Sequence, residues 1–233
     1  MDDNLNYETY IYISSSKLFI SIYTNLNKKV YEEEIRIEQI STQLIFQELN
    51  DFLSKNILKI EKKLNNFIKN TSVILDLDEI FSFEISVKKN NFDNIISTKI
   101  LNHLLYDLKD YCKKTIDEKK IIHMMINNYQ VDNKDYHFLP KEINCNNFSL
   151  DVKFLCLSVA LIKDLENIFK KYQISLDCIV SAKYIKEFLT NKDEDISLIA
   201  KKMINGHNSN EVKLVDKTIK NKGFFEKFFN FFN

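Results

Sequence analysis

Glycine and proline are almost absent from this sequence. Its 233 residues include two glycines, Gly206 and Gly223, and one proline, Pro140. Loops that cradle a phosphate need glycines where the backbone approaches the anion closely. Because the two glycines are far apart in the chain, neither a G-x-G-x-x-G loop nor a Walker-type loop is possible. The sequence therefore excludes the common glycine-rich nucleotide sites.

Composition and charge limit the class of protein further. Apolar residues make up 45% of the chain, which is enough for one sizeable core or two small ones. The 33 basic and 33 acidic residues balance, so no overall charge draws the chain to nucleic acid. No apolar run is long enough to cross a bilayer, and we expect no membrane-spanning helix.

The cysteines indicate a reducing compartment. They are widely spaced, they include no C-x-x-C pair, and no secretory signal starts the chain. We therefore expect a cytosolic protein in which reduced cysteines fill core or boundary positions. The four cysteines are Cys112, Cys145, Cys156 and Cys178.

The N-terminal part, residues 1–70, predicts a small strand meander followed by a helix. TYIYIS, KLFISIY and KKVYEEEIRI alternate or run apolar, which is typical of three antiparallel strands. From 41 to 70 the apolar residues recur every three or four positions, with Ser41 or Thr42 as N-cap and a break near 54–56. Four tyrosines at strand positions are expected to pack on sheet faces: Tyr7, Tyr10, Tyr12 and Tyr23.

Residues 71–190 predict a second unit, and the fold class is α+β. Strands are expected at 72–78 and 81–89, with an amphipathic helix at 97–114. In 121–189, two β-rich runs precede the helical segment DLENIFKKY and the apolar strand LDCIVSA. A strand pair, a helix and a returning strand can bury one sheet face under one helix.

The C-terminal part predicts a short helix, a linker and an aromatic tail. The helix lies within 191–206 and Gly206 can terminate it. The polar stretch 207–221 suits a linker, and 222–233 reads as an amphipathic helix lying in the plane of a membrane, with its lysines toward anionic headgroups. The alternatives are a helix docked on the protein's own core and a peptide for a partner's groove. The candidate membrane-binding residues are Lys222, Phe224, Phe225, Lys227, Phe228, Phe229, Phe231 and Phe232.

Catalytic and metal constellations are not apparent. The histidines show no i, i+4 pair and no accompanying acidic set, and His123, within an apolar strand, is expected to be structural. An acidic cluster at a strand end, Asp76, Asp78 and Glu79, could be a paired-carboxylate site, but a solvated turn is the favoured interpretation. No Ser–His–Asp set can be assembled from spacing. We expect no catalytic, cofactor or metal site, and hence a binding module.

The segment HMMINNYQVD resembles a motif of FtsA, the actin-like bacterial protein that tethers the division ring to the membrane. That family has a strand reading H-V-I-P-x-x-Y-x-[IV]-D. Here His123, Tyr129 and Asp132 keep its offsets, while Ile126 stands in place of the proline.

Further elements resemble the same family in the same order. Pro140 keeps the proline of its P-x-G-[LM]-x-G element, whereas Glu142 and Cys145 replace the glycines. The strand, helix and strand that follow resemble 149–159, 163–172 and 176–181, part of the family's inserted strand–helix–strand–strand subdomain. The helix before Gly206 and the aromatic tail resemble the family's last core helix and its membrane-targeting helix.

The family's phosphate loops have changed or have no counterpart. The first, [DE]-I-G-[ST]-[AS]-K, resembles 12–17, but Tyr12 replaces the acid and Ser14 the glycine. The second, D-I-G-G-G, has no counterpart after Leu189, so the chain resembles an FtsA without the middle of its core. The resemblance therefore implies a remnant of an actin-like subdomain at 1–70 that binds no nucleotide.

The resemblance implies a non-enzymatic, membrane-tethered adaptor of the division machinery. Its expected partners are the inner face of the cytoplasmic membrane, division proteins and further copies of itself, without nucleic acid. It would lie in the cytoplasm, peripheral on the cell membrane at the division site. The alternative is a soluble scaffold of a pilus or secretion assembly like PilM, whose tail docks on a partner protein, because PilM-like proteins share the inserted subdomain. They rank second because they lack such a tail.

Overall fold

The computed structural model describes residues 6–140, 143–191 and 194–213, and the expected α+β class is confirmed. The strands in this part of the chain are β1 (Tyr7–Ser14), β2 (Lys17–Thr24), β3 (Lys29–Arg36), β4 (Asn70–Asp76), β5 (Phe81–Ile95), β6 (Lys119–Val131), β7 (Lys134–Tyr136), β8 (Asn144–Ser158) and β9 (Ser175–Ser181). The helices are α1 (Thr42–Leu64), α2 (Thr98–Thr115), α3 (Val159–Lys170), α4 (Ala182–Lys186) and α5 (Ile196–Ile204).

The first sheet has the order β3-β2-β1-β4-β9. Strands β1, β2 and β3 form the predicted antiparallel meander, whereas β4 runs parallel to β1 and β9 runs parallel to β4. The outer strand β3 carries three exposed acids in succession, Glu32, Glu33 and Glu34. Charged side chains on an edge strand discourage pairing with another chain.

Helices α1 and α3 cover one face of this sheet and bury its main core. The Ser41 side chain accepts the N–H of Leu44, which confirms Ser41 as the N-cap of α1. The predicted break near 54–56 is wrong, because α1 is continuous to Leu64. Asn56 is buried within it and donates its side-chain amide to the carbonyl of Phe52 at 3.0 Å, so this polar residue is satisfied inside the helix.

The second sheet is antiparallel, with the order β5-β8-β6-β7, and α2 packs on one of its faces. Alternate residues of β8 build the core under α2, as the period of two in a strand requires. They are Phe148, Leu150, Val152, Phe154 and Cys156. Strands β6 and β7 are joined by a tight turn in which Asp132 and Asn133 have positive φ, as two-residue hairpin loops favour.

The strand pairing differs from the expected division at residue 70. Strands β4 and β9, both expected in the second unit, complete the first sheet, so the second sheet is inserted between them. Helix α3 also packs on the first sheet, and the expected strand–helix–strand unit is divided between the two sheets. The physical reason is visible in Val73, Ile74 and Leu75, which are fully buried, as in parallel strands covered on both faces.

The other face of the first sheet packs on α4, α5 and the second sheet. Tyr10, Tyr12 and Tyr23 are buried there and Tyr7 is partly buried on the α1 side, which confirms that these tyrosines pack on sheet faces. Helix α5 ends as predicted, with Gly206 at φ 83° immediately beyond it. In the described part of the chain, no helix is both long and apolar enough to cross a membrane.

Candidate functional site

The carboxyl ends of the parallel strands β1, β4 and β9 meet at one edge of the first sheet. Strand β1 ends at Ser14, which lies beside Asp76 at the end of β4. Ligands of open sheets with parallel strands commonly bind in the crevice at this edge. The resemblance placed a former phosphate loop here, in the turn between β1 and β2.

Ser14 closes that turn with its own side chain. Its hydroxyl oxygen accepts the N–H groups of Ser16 at 3.3 Å and Lys17 at 3.0 Å, and the hydroxyl donates to the carbonyl of Lys17 at 2.9 Å. In a phosphate-binding loop, successive backbone N–H groups point at the anion. Here two of those donors are already bonded within the turn.

Asp76 at this edge accepts a hydrogen bond from Tyr12 and forms an ion pair with Lys186. The Tyr12 ring stacks on Phe19 with centroids 4.9 Å apart, and its hydroxyl donates to Asp76. The Lys186 Nζ lies 2.7 Å from Asp76 Oδ2. Burial, followed by the bond to Asp76, raises the pKa of Tyr12 above its ordinary value, so the hydroxyl remains a donor. Asp76 is thus a paired, partly buried acid, whereas its neighbours Asp78 and Glu79 are exposed, as expected of a solvated turn.

A cleft of about 630 Å³ opens between the two sheets. One wall comes from β6 and the end of α2, and another comes from β9 and the end of α5. Residues 211–213 form the third wall. The apolar side chains in the cleft include Ile121, Met124, Ile179, Val180, Met203 and Val212.

Two unpaired strand edges line this cleft. Residues 119–123 of β6 pair with β8 on one side, and among the described residues no strand pairs with them on the other side. Strand β9 pairs with β4 on one side and is the outermost described strand of the first sheet. Such edges present N–H and C=O groups to which an extended peptide can add.

The rim of the cleft is basic. Four lysines line it: Lys109, Lys119, Lys120 and Lys213. The Lys119 Nζ lies 4.1 Å from the ring centroid of Phe81, and the Lys213 Nζ bonds the carbonyl of Ile204 at the end of α5. Glu211 is the acid among the lining residues and is committed to a buried cluster. The cleft therefore favours a ligand with apolar and acidic groups.

His123 is buried in that cluster, which confirms its expected structural role, with Glu211 as its partner. The two residues are 6% and 5% exposed, and His123 Nδ1 lies 2.7 Å from Glu211 Oε1. The backbone N–H of Ser181 donates to His123 Nε2 at 3.0 Å, so Nδ1 carries the proton that bonds Glu211.

Tyr184 and Asn208 extend the cluster. The Tyr184 hydroxyl donates to Glu211 Oε2 at 2.9 Å and accepts the Asn208 side-chain amide at 2.9 Å. Burial, and next the nearby carboxylate of Glu211, raise the pKa of Tyr184 above its ordinary value. Both carboxylate oxygens of Glu211 therefore have protein donors.

Residues 207–213, called here the docked segment, are not the linker that the sequence predicted. The carbonyl of Asn210 accepts the N–H of Ile126 at 2.9 Å, and the N–H of Val212 donates to the carbonyl of Met124 at 2.8 Å. The segment is thus added to the edge of β6 next to the cleft. Its polar composition suggested a linker because nothing local reveals that Glu211 has a buried partner. The rest of the predicted linker, 214–221, lies outside the described residues.

The aromatic tail, with all the candidate membrane-binding residues at 222–233, also lies outside the described residues. The structure therefore relates the tail to the candidate site only through the preceding described residues. The last described residue, Lys213, lines the cleft.

The residues that resemble the FtsA motif have structural positions. Tyr129 is 2% exposed in the core under α2, where burial raises its pKa to about 12. The Asp132 carboxylate accepts the N–H groups of Asn146 and Asn147 and so ties the β6–β7 turn to β8. Pro140 is buried and Glu142 lies outside the described residues, whereas Cys145 is buried in the same core. Across the described ranges, no three His, Cys, Asp or Glu side chains could hold a metal ion.

No protein-family model matches the chain, and no curated protein matches it. Among solved structures, the chain is similar to the cytoplasmic domain of EpsL, an inner-membrane component of the Vibrio cholerae type II secretion system. The identity is 9%, the TM-score is 0.38, and the match covers 80% of this chain and 59% of EpsL.

Two further solved structures are similar to the chain at comparably low identity and TM-score. A PilM–PilN type IV pilus biogenesis complex matches with 8% identity and a TM-score of 0.46, over 76% of this chain and 48% of the other. A Bacteroides thetaiotaomicron protein of unknown function, with an actin-like ATPase fold, matches with 13% identity and a TM-score of 0.32, over 81% and 58%. The chain thus spans about half to three-fifths of these structures, and likenesses of this size assign it no activity and no partner.

The cleft contains a thiol that can report on its state. Cys178 and Cys112 both line the cleft, but Cys178 is half-buried, whereas Cys112, Cys145 and Cys156 are at most 1% exposed. We expect a thiol reagent such as DTNB to modify Cys178 first in the native protein, slowly, because burial raises the pKa of its thiol. The measurement is the time course of thiol release, with Cys178→Ser as control. A fast phase that survives in Cys178→Ser would contradict this assignment.

Proposed function

We propose that this protein is a non-enzymatic scaffold of a membrane-associated assembly of the pilus or secretion kind. In this role it holds an extended segment of a partner protein in the cleft between its two sheets. The observation that carries the proposal is the coincidence, in one cleft, of two unpaired strand edges, an apolar lining and a basic rim.

The non-enzymatic part of the proposal is supported by the closed edge of the first sheet. The N–H groups of Ser16 and Lys17 bond the Ser14 hydroxyl, and Asp76 is held by Tyr12 and Lys186. A nucleotide phosphate would need these donors free, and a bound magnesium ion would need a free carboxylate. The glycine scarcity of the sequence agrees with this, because the turn has no residue that allows closer approach of the backbone.

The chemistry of the cleft indicates the kind of segment that it holds. A peptide strand added to β6 or β9 places alternate side chains on the apolar lining. Asp or Glu side chains at the ends of such a segment would meet the lysine rim. The proposed ligand is therefore an extended segment with alternating apolar residues and flanking acids.

Attachment to a membrane is the second part of the proposal, and the aromatic tail at 222–233 supports it. One amphipathic segment binds reversibly, at about 10⁴ M⁻¹ if it resembles a single acyl chain. Simultaneous engagement of a membrane-anchored partner in the cleft would raise the overall affinity by roughly 10²–10⁴ through effective concentration. The complexes named for EpsL and PilM are the setting that we propose for this scaffold.

A second candidate is the adaptor of the bacterial division machinery that the resemblance to FtsA implies. The observation that favours it is the tail, because the resemblance associates such a tail with FtsA and not with PilM-like proteins. A fluorescent fusion imaged in dividing cells separates the two candidates. Bands at midcell support the division adaptor, a polar or peripheral signal at the membrane supports the pilus or secretion scaffold, and a diffuse signal contradicts membrane attachment in both.

The closed strand edge predicts that nucleotide does not bind. If ATP with magnesium bound with a Kd one-hundredth of its concentration, it would stabilise the folded state by about 2.7 kcal/mol and raise the melting temperature. We expect the Tm to be unchanged by millimolar ATP and magnesium, as measured by differential scanning fluorimetry. A concentration-dependent rise in Tm would contradict the non-enzymatic proposal.

The cleft predicts selection of a defined class of peptide. Panning of a random dodecapeptide phage library against the full chain should yield sequences with alternating apolar residues and flanking Asp or Glu. The selected peptides should slow modification of Cys178, because this thiol lines the cleft. The double variant Lys119→Glu/Lys120→Glu should weaken their binding about tenfold or more, by reversing two rim charges.

The matched control for this experiment is Lys55→Glu/Lys59→Glu. Both lysines are exposed on α1, so this variant has the same net charge without altering the cleft. Equal binding by the two double variants, or peptides that leave the rate at Cys178 unchanged, would show that the cleft is not the binding site.

The tail predicts sedimentation with anionic vesicles. The full chain should co-sediment with vesicles containing phosphatidylglycerol, and a chain lacking 222–233 should not, because the phenylalanines insert at the acyl boundary. Lys222→Gln/Lys227→Gln should reduce binding to anionic vesicles while leaving binding to neutral vesicles unchanged. Equal sedimentation of the full and shortened chains would end the membrane-anchor proposal.

A further inference from the structure

The docked segment is both a wall of the cleft and the last described part of the chain before the tail. Glu211, Val212 and Lys213 line the cleft, and Lys213 is followed directly by 214–233. The end of the described chain is therefore also a wall of the cleft. A change in the position of this segment would alter the wall of the cleft and the position of Lys213, where the described chain ends.

Three groups of hydrogen bonds hold the docked segment in place. Its backbone bonds Met124 and Ile126 of β6, and the Asn210 side chain donates to the carbonyl of His137 at 2.9 Å. The second group is the buried cluster, in which the Glu211 carboxylate accepts from His123 and Tyr184. Lys213 adds its bond to the end of α5.

The hydrogen bonds of Glu211 disfavour partial detachment of the docked segment. If the segment left the edge of β6, His123 Nδ1 and the Tyr184 hydroxyl would lose the carboxylate that accepts their hydrogen bonds. Such donors would remain partly buried and unsatisfied, which is costly, so a partly detached segment is disfavoured. We therefore expect the segment to attach to β6 and detach from it as a unit.

We propose that the docked segment is a latch that regulates the cleft, with Glu211 as its positioning residue. In the docked arrangement the third wall is present and the cleft can hold its ligand, whereas in the detached arrangement that wall is lost. A ligand that contacts Val212 and Lys213 binds the docked arrangement better and therefore stabilises it. Because such coupling is reciprocal, a force or a ligand that acts on the chain beyond Lys213 and favours detachment lowers the affinity of the cleft for its ligand. The regulation of ligand binding rests on the proposed function, while the latch itself does not.

The thiol of Cys178 distinguishes detachment from unfolding. Cys178 lines the cleft together with Glu211 and Lys213, and Cys112 lines it from the core of the second sheet, whereas Cys145 and Cys156 are buried in that core away from the cleft. Detachment of the segment should expose Cys178 while Cys145 and Cys156, which lie away from the cleft, stay protected. Global unfolding should expose all four thiols together.

The test is Glu211→Ala in the full chain, with DTNB modification as the readout. We expect the rate at Cys178 to rise about tenfold or more while Cys145 and Cys156 stay protected, because the opening is local. Glu211→Gln should give an intermediate rate, since its amide oxygen can still accept from His123. The control Leu49→Ala removes a fully buried side chain of the first core, far from the cleft, and destabilises the fold without selecting Cys178.

Two outcomes would overturn the latch. One is a Cys178 rate in Glu211→Ala equal to that of the unmodified chain, and the other is simultaneous exposure of all four cysteines. The regulatory step is tested with the peptides selected on the cleft, whose affinity for Glu211→Ala should fall about tenfold. Unchanged affinity together with a faster Cys178 would refute the regulation and keep the latch. Failure to select any peptide would refute the proposed function, and the thiol experiment would still decide the latch.

Discussion

The parallel pairing of β4 between β1 and β9 is the constraint on which the rest of the structure depends. Parallel neighbours cannot be joined by a tight turn, so each needs a connection that leaves the sheet and returns. Helix α1 belongs to the first connection, and the whole second sheet with α2 and α3 belongs to the second. The cleft follows from this topology, because the inserted sheet returns to the first sheet at β9 and leaves a gap beside it.

The buried cluster around Glu211 is the second determinant. A carboxylate at 5% exposure is tolerated only if its oxygens are bonded, and here His123 and Tyr184 supply the two donors. The cluster also explains why the polar stretch 207–213 is held on β6. Its residues come from β6, α4 and the docked segment, so one charge joins three parts of the chain.

Local features of the sequence predicted the meander, the N-cap Ser41 and the end of α5 at Gly206, because each depends on neighbours within a few positions. Long-range pairing was not predictable in this way. The apolar runs of β4 and β9 identify them as strands but do not say which sheet they join. The bond between His123 and Glu211 joins residues 88 positions apart, and the cleft consists of several such contacts. The break expected near 54–56 did not occur because Asn56 is satisfied inside α1.

The acidic outer strand β3 gives the first sheet a direction. The exposed charges of β3, among which Glu32 pairs with Lys29 and Glu34 with Lys17, would lose water if another strand paired there. The opposite side ends at β9, whose outer backbone groups no described strand pairs with. Copies of the sheet cannot readily stack edge to edge into a continuous ribbon. The two outer strands of this sheet are therefore chemically unlike: one presents charged side chains, and the other presents backbone groups that no described strand pairs with.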